Sequence, residues 1–88
     1  MTEVDEIMHA EDVLQRGLKE LAGRISAGRR DHDTSELLRH CAEMSNSLRE
    51  LVANAASGEA QQAAKVRAAT LDLRLAELQE AYGRHRLH

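Results

Sequence analysis

Glu6 and His9 stand three residues apart. On a helix that spacing puts a carboxylate and an imidazole on one face, the grip used by carboxylate-bridged di-iron bundles. Such a centre needs a second Glu-x-x-His and two further glutamates. The chain has no second copy, and His40 with Glu43 holds the spacing in reversed order. Glu6 and His9 are therefore read as surface residues at a helix start, with no metal and no cofactor expected. His40 and Cys41 are the types of a base and a nucleophile. Helical neighbours diverge by about 100° and do not face each other. Cys41 also falls in an apolar stripe, where a thiol behaves as a small apolar group. The chain shows no phosphate loop, no Ser/His/Asp set and no paired carboxylates in an evident cleft. The expectation is a non-enzyme without catalytic residues.

Two basic clusters remain, Arg29-Arg30 and Arg84-His85-Arg86-Leu87-His88. In an up-down-up bundle they lie at one end and could share an anion. Aromatic residues to stack bases are missing, since Tyr82 is the one aromatic side chain. A DNA-associated regulator is thus the least favoured of the binding readings, and nucleic acid is not the expected partner.

The elements that carry these residues follow from three apolar stripes. They read Ile7, Leu14, Leu18, Leu21, Ile25; then Leu37, Cys41, Met44, Leu48, Leu51, Ala55; then Ala64, Ala68, Leu71, Leu75, Leu78, Tyr82. Spacings of three and four place each set on one helical face. The stripes predict helices over about 3–27, 34–57 and 59–82, in one domain spanning 1–88, with a frayed tail at 84–88. Thr2 is a candidate N-cap for the first helix, and Gly28 suits the position just past its end. Asp33-Thr34-Ser35-Glu36 reads as a capping box opening the second. Gly83 is expected to close the third. No strand pattern appears.

From Ala55 to Ala64 the stripe swaps faces, because nine residues make about two and a half turns. A turn at Ser57-Gly58 repairs the mismatch; a continuous helix used in an oligomer is the competing arrangement. The fold expected is all-α, a three-helix up-down-up bundle, or a helical hairpin that completes its core by dimerisation. Between Ala53 and Ala69 the one large apolar residue is Val66, so the hairpin end is thin. Val4, Ile7 and Met8 are expected to lie over it. Leu21, Ile25, Leu37, Leu38, Leu78 and Tyr82 should fill the opposite end.

Composition narrows the class further. Eighty-eight residues without Trp, Phe or Pro give a light core and favour uninterrupted helices. A core so small makes a partner or self-association a natural complement. The net charge of −3 carries no basic excess. Arg supplies ten of the twelve basic residues, a bias that fits a GC-rich bacterial genome. One cysteine allows no intramolecular disulfide and suits a reducing compartment. With no apolar run of membrane-spanning length and an acidic beginning, the expected location is the cytoplasm, away from membranes.

One feature of the third helix goes beyond a core stripe. Val66, Ala69, Leu73 and Ala76 share a second face, with Leu73 about 200° round from Leu71. A peripheral helix of a monomeric bundle should be polar there. Either the buried stripe is broad, or this face meets another chain. The function expected is a non-enzymatic helical interaction module, adaptor or chaperone-like, that binds a protein partner or itself through these four residues. A structural self-assembling dimer subunit is the alternative.

Overall fold

The computed structural model describes the backbone of residues 3–86 and the side chains of 5–83. It consists of three helices, α1 (Glu3–Ser26), α2 (His32–Ala53) and α3 (Glu59–Arg86), with no strand among the described residues. Each helix packs against the other two. Ile7, near the start of α1, sits beside the α2–α3 turn at Ala55–Gly58. At the other end Arg30 of the α1–α2 loop meets Tyr82 of α3. Both juxtapositions are those of an up-down-up three-helix bundle. No described helix is long and apolar enough to cross a membrane.

α1 ends as its sequence predicts. Gly28 has a φ of 76°, a left-handed conformation that glycine adopts without Cβ strain. Its N–H donates to Ile25 O at 2.9 Å, and the Arg29 N–H donates to Arg24 O at 3.0 Å. This paired closure is a Schellman motif, which satisfies two carbonyls left over at the helix end.

α2 begins two residues earlier than expected, and Asp33 is not its cap. Asp31 is the N-cap. Its Oδ1 accepts from Thr34 N–H at 2.9 Å and from the Thr34 hydroxyl at 2.6 Å. Arg29 closes on the other oxygen, Oδ2, at 2.7 Å. Asp31 wins because it meets an orphan helix N–H and a guanidinium together. The proposed cap of α1, Thr2, lies outside the described residues.

α2 also ends earlier than expected, at Ala53, and the break falls at 54–58. The Gln61 amide donates to Val52 O at 3.0 Å and to Ala55 O at 3.2 Å, adding a second bond to the Val52 carbonyl that the Ala55 N–H already reaches at 3.3 Å and taking up the Ala55 carbonyl in the turn. One side chain thereby sews the start of α3 to the end of α2. Gly83 does not close α3, which continues to Arg86. A Cβ at Gly83 would meet open space, and one Gly is a modest penalty inside a helix. Of the expected frayed tail, residues 84–86 are helical in the backbone, and 87–88 lie outside the described residues.

The core follows the stripes on α1, where all five stripe residues are buried. On α2 the buried line is Thr34, Cys41, Ser45, Leu48 and Val52. Leu37, Met44, Leu51 and Ala55, expected at its centre, are half-buried beside it. On α3 the stripe holds except that Leu71 is half-buried. The apolar end built from Leu21, Ile25, Leu78 and Tyr82 is buried, with Leu37 and Leu38 half-buried alongside. Tyr82 locks that end: its hydroxyl shares a hydrogen bond with Ser35 Oγ at 2.6 Å, and Arg30 lies over its ring, 5.3 Å from the centroid. Mid-bundle, α1 and α2 approach closely at Gly17, where a Cβ would come within 3.1 Å of Cys41 Sγ and Met44 Cε.

Candidate functional site

Val66, Ala69, Leu73 and Ala76 lie on the outside of α3, and all four are exposed. Val66 is 67% exposed and Leu73 62%, the most exposed of the large apolar side chains described. The broad buried stripe is therefore not how this helix packs. The reason is angular: Ala64, Ala68, Leu75, Leu78 and Tyr82 fill the inner face, and the four residues stand roughly opposite them.

Besides the Gln61 and Tyr82 hydroxyl contacts, further polar links fix how α3 presents this face. Arg67 Nε donates to both carboxylate oxygens of the buried Glu11 on α1. The Ser45 hydroxyl, buried on α2, donates to Asp72 at 3.0 Å, and Arg49 stands 3.9 Å from the same carboxylate. Arg30 Nη1 reaches Tyr82 O at 3.5 Å. Rotation of α3 about its axis would break these links, which therefore hold the outer face outward. Beside it, the Thr70 hydroxyl turns back to Val66 O at 3.0 Å, which lowers the polarity of the flank.

The remaining candidates disperse. Glu6 and His9 are exposed on α1. A shallow groove between α1 and α2, about 350 Å³, is lined in part by His9, His40 and Glu43. Among the described residues no group of three or more His, Cys, Asp or Glu is placed to hold a metal ion. Cys41 is fully buried, and burial, followed by the charge of Glu20, pushes its thiol pKa up. Such a thiol is a poor nucleophile, in keeping with a core role. Arg29 is paired with Asp31, and Arg30 with Tyr82. The side chains of Arg84 to His88, the other half of the expected basic patch, lie outside the described residues.

The thin hairpin end leaves a cavity of about 360 Å³ lined by Ile7, Ala55, Ala60, Ala63, Ala64 and Arg67. Of the three residues expected to cover it, Ile7 does. Met8 is 58% exposed and does not line the cavity, and the side chain of Val4 lies outside the described residues. Alanine supplies too little volume to close the space.

Sequence reasoning missed the buried polar side chains found among the described residues, Glu11, Thr34, Ser45 and Gln61. Each replaces an apolar residue in a stripe, and three of them bond to side chains on their own or a neighbouring helix. The available signal was a polar residue at a stripe position with an opposite or complementary group at helix-crossing distance. No family model matches the chain, and neither a curated protein nor a solved structure resembles it significantly.

Proposed function

We propose that this protein is a non-enzymatic interaction module, adaptor or chaperone-like, that binds another polypeptide by packing a helix against the outer face of α3. The exposure of Val66 and Leu73 on a helix whose inner face is already filled carries this reading. Apolar side chains spaced by seven, with alanines between, suit the approach of a second helix. The buried thiol and the scattered histidines favour binding over catalysis, and the pairing of Arg29 and Arg30 leaves little free basic surface in the α1–α2 loop for nucleic acid.

Leu73→Glu tests the reading. A charge placed in a packed interface must be desolvated, whereas on an exposed helix face it is tolerated. Circular dichroism should be unchanged, and association measured by sedimentation or co-precipitation should be lost. Unfolding of the variant would make Leu73 a core residue, and unchanged association would remove the outer face of α3 from the function.

A further inference from the structure

The outer face of α3 is longer than its four apolar residues. Continuing the same spacing of three and four outward from them gives Glu59, Gln62, Val66, Ala69, Leu73, Ala76, Glu80 and Gly83. All eight positions are exposed. They lie along about 36 Å of helix at 1.5 Å per residue. This is a heptad seam, set opposite the one that faces the core.

We propose that the occupant of this face is a second copy of the chain, with α3 packed antiparallel on α3 of the partner about a two-fold axis near residue 71. The inference rests on the interaction reading above and names its partner. The argument is the self-complementarity of the seam. In the antiparallel register Val66 meets Ala76, and Leu73 meets Ala69, so every apolar layer sets a large side chain against a small one. Outside these, Glu80 meets Gln62, whose amide can donate to the carboxylate, and Glu59 meets Gly83. No two like charges share a layer. The parallel register does the reverse: Leu73 faces Leu73 and Ala69 faces Ala69, while Glu59 and Glu80 each confront their own copies, which is destabilising.

One further observation fits the antiparallel register. Gly83 lies inside α3 with open space where its Cβ would be, so nothing within the chain requires a glycine there. Opposite Glu59 of a second copy, the missing side chain makes room. The register's electrostatic cost is the two Asp72 carboxylates beside the axis, reduced because each is bonded to Ser45 and close to Arg49 of its own chain. Four apolar layers are few, so the dimer belongs to the weak, concentration-dependent class.

Sedimentation of the full chain across a concentration series, with Leu73→Glu alongside, tests the pairing. The mass should rise from monomer towards dimer, and Leu73→Glu should weaken dimerisation more than about tenfold. Orientation is read by introducing one exposed cysteine at a time and adding a short thiol cross-linker, the native Cys41 being buried. Thr70→Cys, beside the axis, should cross-link to itself. Glu80→Cys should not, because its copies are about 27 Å apart along the antiparallel pair. Efficient Glu80→Cys cross-linking overturns the register. A wild-type chain that stays monomeric overturns self-pairing; the interaction reading then survives only if a defined partner binds wild type and not Leu73→Glu. A dimer indifferent to Leu73→Glu overturns both.

Discussion

Arg67 holds Glu11 from across the bundle, its Nε 3.0 and 3.1 Å from the two carboxylate oxygens. Glu11 occupies the place in the α1 stripe between Ile7 and Leu14, and it is the one charged side chain buried among the described residues. A carboxylate there is tolerated because its partner is a guanidinium anchored on α3 and still half in solvent.

Removing either member should therefore have unequal effects. Arg67→Ala leaves a buried carboxylate without its cation and should cost about 1–3 kcal/mol, less than for a fully buried pair because Arg67 is partly hydrated. Glu11→Leu removes the charge and restores the apolar stripe, and should be neutral or stabilising. Urea melts of the two variants check this, and equal losses would show that the pair itself, not the stranded charge, governs stability.

Leu48 and Leu75 are buried in the centre of the bundle. Leu48→Ala and Leu75→Ala should each lose about 2–5 kcal/mol, the usual range for emptying a leucine site in a packed core. For a small domain of about 5–10 kcal/mol total stability that is a large fraction. Chemical denaturation measures it, and a loss below about 1 kcal/mol at either site would mean that the neighbours collapse into the space.

Asp31 gives the bundle an acid-sensitive helix start. The Thr34 hydroxyl, then Arg29 and the Thr34 N–H, hold its carboxyl well below the ordinary value of 3.8. A group whose pKa is lowered on folding stabilises fully above its unfolded pKa and stops doing so as pH falls towards the folded one. The melting temperature should drop below about pH 4 for this reason, and Asp31→Asn, which still caps, should flatten that limb. Melting curves between neutral and strongly acidic pH decide it; a variant that follows the wild type throughout would assign the acid sensitivity elsewhere.

Two glycines should respond in opposite directions. Gly23 lies in α1, exposed, with open space around a would-be Cβ. Gly23→Ala should stabilise by about 0.5–1 kcal/mol through helix propensity. Gly28 has a φ of 76°, so Gly28→Ala should destabilise by about 1–2 kcal/mol. Thermal melts of both variants suffice, and the same sign for both would contradict the assigned backbone.

Helix number and the α1 core face were legible in the sequence, since Ile7, Leu14, Leu18, Leu21 and Ile25 are apolar and in register. The α2 face was harder to read. Its buried line runs through Thr34 and Ser45, whose hydroxyls are acceptable in the core because Asp31 and Asp72 accept from them. Periodicity alone gives that line to Leu37, Met44 and Leu51, a fraction of a turn away. The capping box pointed to Asp33, and the choice of Asp31 instead depends on where Arg29 lies after the Gly28 reversal. Gln61 could not be read, because its acceptors are backbone carbonyls at the α2–α3 turn, whose position depends on where α2 stops. The outer face of α3 was visible because Leu71 and Leu73, on nearly opposite sides of a helix, cannot both belong to one core.

Cys41 gives the bundle a built-in clock. Its sulfur is the only thiol in the chain, and it lies shielded where α1 and α2 meet at Gly17. A thiol reagent can reach it only when that seam parts, and the raised thiol pKa slows reaction further at neutral pH. Labelling of the native protein thus counts openings of the α1–α2 contact, whatever the outer face of α3 is bound to. Any ligand of α3 that tightens the whole bundle will slow the clock, and one that merely rests on the surface will leave it running at the same rate.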